Sequence, residues 1–156
     1  MPVWSVEILD EVRRNQVGKF NWDDDLADYW RREVEDAFPS ASEDRYQPYV
    51  DRCANDVKDR HVLAAGISSQ ADSIVTFNLK HFPKAALEPW GIEAITPSTF
   101  LLSLYELRPA VVVSKIDDMS ADRYRDRMGT LVALHRTVPG FALTVAADLS
   151  LELVIS

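Results

Sequence analysis

Two aspartates, Asp56 and Asp59, stand one helical turn apart in Asn55-Asp56-Val57-Lys58-Asp59-Arg60-His61-Val62-Leu63-Ala64-Ala65, where polar residues give way to an apolar run. Downstream, the β-branched segment Ser73-Ile74-Val75-Thr76-Phe77 ends in Asn78. Carboxylates that converge from separate elements hold Mg²⁺ or Mn²⁺ through oxygen, usually with several waters retained. An ion so held polarises a phosphodiester, activates water and stabilises the leaving oxygen. In an open parallel sheet such sites lie beyond the carboxyl ends of the strands. Asn78 just past a strand and Asp56 and Asp59 at a helix start could therefore meet. Glu11, in a helical segment with Glu7 and Asn15 on either side, is a candidate to reach in from a flanking helix.

Each residue also has a plainer reading. Asp56 with Asp59 fits a capping box, an aspartate cap followed by an acid at the third helical position. Glu11 fits a solvent-facing helical acid, Asn78 a turn residue and Thr76 a strand former. No two of the histidines have zinc-ligand spacing, so His61 and His81 are expected at the surface. Cys53 lacks a His-Asn arrangement and is expected to pack rather than to react. The four tryptophans are expected in the core or an interface.

These residues must be carried by elements that the pattern suggests. Ser5 caps a helix to about Gln16 over Val6, Leu9 and Val12, with Gly18 as its stop. A second helix is expected over 23–37, with Leu26, Tyr29, Trp30, Val34 and Phe38 on one face and Asp23, Asp24 and Asp25 at its positive end. A polar loop follows from Pro39 to Gln47, then a short extended piece at Tyr49-Val50. A third helix starts at Asp56 and buries Val62, Leu63, Gly66 and Ile67. Ser73–Phe77 reads as a buried parallel strand and Ile92–Ile95 as a second strand, with a short helical turn between Pro83 and Pro89. Thr96-Pro97 opens a helix over Phe100, Leu101, Leu104, Tyr105 and Leu107. Beyond Pro109, Val111-Val112-Val113 and Phe141–Leu153 fit helix or strand. Arg123–Arg127 reads as a solvated helix face, Leu131–His135 as helix and Pro139-Gly140 as a turn. Helices alternating with short β-branched strands argue for a three-layer α/β domain.

The chain has 156 residues and a net charge of −8, with an isoelectric point of about 4.8. That length supports one core, with or without a small appendage. The acidity leaves no basic surface for blanket nucleic-acid binding, although bound cations invert the local field of a carboxylate cluster. A single cysteine permits no internal disulfide and suits a reducing cytoplasm. There is no apolar run long enough to span a membrane.

The ordered set Asp56-Val-Lys-Asp59-Arg-His-Val-Leu-Ala-Ala and Ser73-Ile-Val-Thr76-Phe-Asn78-Leu-Lys-His-Phe82-Pro resembles the PIN domain, in the VapC-like group of bacterial toxin–antitoxin pairs. Trp4–Val12 is similar to the family helix that carries the second acid, and Gly91–Leu102 to its last strand and following helix. The resemblance runs from about residue 3 to 107. It implies an α/β/α sandwich over 1–108 with a mostly helical extension over 109–156, and Mg²⁺- or Mn²⁺-dependent cleavage of RNA, tRNA or mRNA. Carried over by position, Glu11, Asp56 and Asp59 are the metal ligands, Asn78 orients a water and Thr76 supports the pocket. Arg60, Lys80, His81 and Lys84 are the residues placed to touch the RNA backbone, where contacts position a substrate without reading it. His81 stands where the group often has an aspartate. The family's usual opening strand, with its aspartate, has no counterpart before Trp4, so the sheet is expected to be N-terminally truncated. The implied partners are RNA, a cognate antitoxin or a chain supplying that strand, or a second copy, since an open sheet edge recruits strands. The alternative is a catalytically inactive PIN-like module that binds RNA or an antitoxin.

Overall fold

The computed structural model describes residues 1–154, so the last two residues of the expected 109–156 extension lie outside it. It is mostly helical, with a two-stranded parallel sheet. The helices are α1 (Val6–Phe20), α2 (Asp24–Ala37), α3 (Arg60–Ser68), α4 (Lys84–Leu87), α5 (Pro97–Leu107), α6 (Pro109–Asp122), α7 (Arg127–His135) and α8 (Pro139–Asp148). The strands are β1 (Ser73–Val75) and β2 (Glu93–Ile95). The chain forms two compact units, one of residues 1–74 and 78–94, the other of 75–77 and 95–154.

In the first unit, Ser5 caps α1 by accepting from the Ile8 N–H at 3.2 Å and is fully buried. The helix runs through Gly18 instead of stopping there. Its end is set by Asn21, whose left-handed backbone (φ 53°) lets the N–H groups of Asn21 and Trp22 both return to the Gln16 carbonyl. Asparagine tolerates that conformation because its short polar side chain offsets the steric cost.

Helix α2 begins where expected, but its expected apolar face packs only in part, Trp30 and Val34 being partly buried and Phe38 meeting the Trp4 ring edge-on. Ala27 is fully buried, whereas Leu26, Tyr29 and Phe38 are exposed. The small side chain permits close approach, and ion pairs hold the two helices on either side of it. Arg13 donates to Asp24 at 2.7 Å and Asp28 at 2.6 Å, and Arg31 donates to Asp10 at 2.6 Å. The hydrogen bond from Arg13 holds the Asp28 carboxyl below its ordinary value.

The polar loop after α2 is tied down by an isolated bridge from Trp4 to Ser42. There the Trp4 N–H bonds the Ala41 carbonyl at 2.9 Å and Glu43 N–H bonds the Trp4 carbonyl at 2.8 Å. Residues Gln47–Arg52 form a 3-10 turn rather than an extended piece, because Pro48 near its start fixes φ while Tyr49 N–H closes on Tyr46. Leu63, Ala64 and Ala65 of α3, with Ile74, Phe82, Leu87, Ile92, Tyr46 and Cys53, make the core of this unit. All four tryptophans are partly buried. Trp90 receives the Arg52 guanidinium at 5.0 Å from its ring centre, a cation–π contact.

Strand β1 is shorter than the β-branched run, ending at Val75, and Val75 and Phe77 are exposed.

In the second unit the ambiguous stretches resolve as helix. Val111–Val113 lie in α6 and Phe141 opens into α8. In the Arg123–Arg127 run, residues 123–126 link α6 to α7 rather than forming a helix face and Arg127 opens α7, while Pro139-Gly140 starts α8 instead of making a turn. Pro139 occupies the first helical turn, where its missing N–H costs nothing. Asp126 caps α7 by accepting from Gly129 N–H at 2.7 Å. Arg127 grips Asp117 through two bonds at 2.6 and 2.7 Å. Leu131, Phe141, Val145, Ile116 and Tyr105 fill the core.

Leu63 has no exposed surface, so Leu63→Ala should destabilise the protein by roughly 2–5 kcal/mol in urea unfolding, the usual range for a cavity in a packed core. Arg13→Ala should lower the melting temperature at neutral pH. A carboxylate with a depressed folded-state pKa stabilises above its unfolded value and loses that effect as pH falls through the folded one. The melting difference between Arg13→Ala and the parent should therefore shrink in acid, which melting curves across pH would show.

Candidate metal centre

Two short turns bring the chemistry-bearing residues together. Residues Val57–Asp59 make a 3-10 turn that leads directly into α3, and Leu79–His81 make another after Asn78. The Asp56 N–H donates to the His81 carbonyl at 3.1 Å, joining the turns backbone to backbone. The buried Asn55 amide donates to the Asp59 carbonyl at 3.0 Å. Behind the turns, Cys53 and Phe82 sit in the apolar core. Burial pushes the Cys53 thiol up, the Arg60 charge offsetting part of this, and its Sγ donates to the Tyr49 carbonyl. Those features fit packing and not nucleophilic chemistry.

Asp56, Asp59 and His81 offer one oxygen, one oxygen and one nitrogen that all lie within 4.8 Å of one another. His81 Nδ1 is hydrogen-bonded to Asp59 Oδ2, and its Nε2 lies 3.9 Å from Asp56 Oδ2. Asn78 Nδ2 lies 2.6 Å from His81 Nδ1. The Asp59 and His81 side chains are 19% and 24% exposed, which leaves the group reachable from solvent without being fully hydrated. Two carboxylate oxygens and an imidazole nitrogen are donors that first-row divalent ions accept, so these residues fit a cation.

The capping-box reading is realised in half. Asp56 Oδ1 accepts from Lys58 N–H at 3.0 Å, which caps the 3-10 turn. The reciprocal bond is absent: the Asp56 N–H goes to His81, and the Asp59 carboxylate turns to the His81 ring. Asp59 is thereby released from capping and directed at the site.

The other candidates fall elsewhere. Glu11 is not a member of the close group; its Oε2 lies 3.5 Å from His61 Nε2. His61 is no surface residue, its side chain being 11% exposed, and its Nε2 has no hydrogen-bond partner among the described residues. Helix α3 carries His61 toward α1, a placement hidden by the expectation that a helix-start histidine faces water. Arg60 is partly buried with its Nε enclosed, while Lys80 and Lys84 are exposed. Thr76 is partly buried, and its N–H bonds the Ile95 carbonyl at 2.9 Å within the second unit. His81 was expected as a surface contact to RNA; the structure places it among the carboxylates. Its position where an acid stands in similar sequences is the signal for that.

Asp56 has two separable roles here. Asp56→Ala should cost about 1 kcal/mol by removing the cap, whereas Asp56→Asn, which keeps a capping oxygen, should leave urea stability nearly unchanged while weakening divalent-cation binding measured by calorimetry.

No protein-family model and no solved structure matches the chain. A stretch of 100 residues is 42% identical to the Mycobacterium tuberculosis protein named "Putative ribonuclease VapC50". The match covers 62% of this chain and 59% of that protein, so the chain spans less than two thirds of its relative's length. Over the matched stretch the chain is a relative of a VapC-type PIN-domain protein, in agreement with the motifs around Asp56 and Asn78.

Proposed function

We propose that this chain is the toxin component of a toxin–antitoxin pair, a metal-dependent endoribonuclease that cleaves phosphodiesters in tRNA or mRNA. The observation that carries the reading is the meeting of Asp56, Asp59 and His81 in one group beside Asn78. Its kinship with a protein named as a ribonuclease supports it. Asp56 and Asp59 hold Mg²⁺ or Mn²⁺, with Glu11 completing the set from α1. An ion bound there would supply positive charge beside the phosphate and would acidify water for in-line attack. Asn78 orients that water through its amide, and Thr76 supports the strand end that leads to it. Lys80 and Lys84, both exposed, and Arg60 steer the RNA backbone toward the acidic group, which otherwise repels it.

The finer fold belongs to the same proposal. A three-layer α/β/α sandwich needs more strands than the described pair, and each strand of a two-stranded sheet has an edge with no partner strand. A further strand, carrying an acid at its end and supplied by another segment or chain, completes both the sheet and the metal site. A cognate antitoxin is the regulatory partner. No helix among the described residues is long and apolar enough to cross a membrane.

The second reading, a PIN-like module that binds RNA or antitoxin without cutting, draws on the neutral Asn78 and on the imidazole of His81, where the VapC-like group often has an aspartate. Incubation of a mixed tRNA and mRNA pool with Mn²⁺ separates the two. The enzyme reading expects discrete cleavage products from the parent protein, at least about 100-fold fewer from Asp59→Ala and none with a chelator. Binding of the pool without any Mn²⁺-dependent product, even when a further acid-bearing strand is added as a peptide, favours the binding module.

A further inference from the structure

His81 is not needed as a structural prop for the turn that carries it. The backbone of that turn is held by its own bonds, His81 N–H to the Asn78 carbonyl at 3.0 Å and the His81 carbonyl to Asp56 N–H at 3.1 Å. The ring is separately directed: Nδ1 lies against the Asp59 carboxylate and Nε2 faces Asp56 at 3.9 Å. An imidazole at the surface ordinarily points to water. This one presents its nitrogens to two acids within a group whose donor atoms span at most 4.8 Å. Donors at about 2.0–2.2 Å from one ion lie roughly 3–4 Å apart, so small side-chain rotations suffice to close the three around a cation.

The donor types then decide which cation. Mg²⁺ is a hard ion that takes oxygen ligands and keeps its waters. Imidazole suits the borderline first-row ions, whose affinity for a nitrogen-containing site rises from Mn²⁺ through Co²⁺. A site that has an imidazole among its carboxylates has therefore exchanged some grip on Mg²⁺ for grip on transition ions. An all-oxygen site makes the same distinction less strongly, because nitrogen donors steepen the rise in affinity along the series.

We infer that His81 is itself a cation ligand, and that its nitrogen biases the centre toward Mn²⁺ and Co²⁺ over Mg²⁺. This rests on the proposed metal centre of Asp56 and Asp59.

The experiment titrates the purified protein separately with Mg²⁺, Mn²⁺ and Co²⁺ by calorimetry at one fixed pH. It records the visible absorption of bound Co²⁺ and the ¹⁴N coupling of bound Mn²⁺ by pulsed electron paramagnetic resonance. The same measurements are made on His81→Asp, His81→Gln and Asp59→Asn, each checked for fold by circular dichroism. The inference expects Co²⁺ to bind at least about tenfold more tightly than Mg²⁺. It expects a ¹⁴N coupling in the parent that disappears in both His81 variants, and a Co²⁺-to-Mg²⁺ affinity ratio that falls about tenfold in His81→Asp. Cation binding that is lost in Asp59→Asn but keeps its ratio and ¹⁴N coupling in the His81 variants overturns the inference and leaves the proposed centre standing. Absence of cation binding by the parent overturns both.

Discussion

The hydrogen bond from the Asp56 N–H to the His81 carbonyl is the constraint on which the centre depends. A short 3-10 turn leaves backbone donors and acceptors without partners, and here two such turns, far apart in sequence, satisfy one another. The carboxylates and the imidazole therefore ride on backbone that is fixed to backbone. Asn55 adds a second clamp from its buried amide to the Asp59 carbonyl. The residues flanking the turns, Cys53 on one side and Phe82 on the other, enter the same apolar core as Leu63 and Ile74. Packing thus fixes the turns from behind while their polar side chains converge in front. Long side chains on a free loop would lose more entropy to reach the same arrangement.

Much of this frame is readable in the chain. Ser5, Thr96 and the paired acids announce helix starts through their side-chain oxygens, and the structure shows the Ser5, Asp56 and Thr96 caps. The apolar run at Leu63–Ala65 identifies the buried helix because small and aliphatic residues have no other stable location. What the pattern does not carry is tertiary. The face of α2 is chosen by Ala27 and by arginines reaching across from α1 and back, so the larger Leu26 and Tyr29 stay exposed against their hydropathy. Val111–Val113 has strand propensity, yet Pro109 at the first turn starts a helix through it. Asp56 and Asp59 are legible as a pair, but periodicity cannot separate a capping box from a ligand pair. The contact with His81, more than twenty residues on, is what turns the Asp59 carboxylate away from capping. His61 escapes notice for the same reason: its neighbour Glu11 lies on another helix.

The imidazole at position 81 also limits the negative charge gathered in the group. Two carboxylates about 4 Å apart repel by about 4 kcal/mol at an effective dielectric of ~20, and water screening reduces this for exposed groups. A third carboxylate would add to that repulsion in a chain already at −8. His81 instead meets Asp59 as a hydrogen-bonding partner. Asp56 and Asp59 can accordingly face a common point with less repulsion than three carboxylates would bring. In the proposed centre, the nitrogen that stands in place of a third acid is also the donor that would bias the choice of ion.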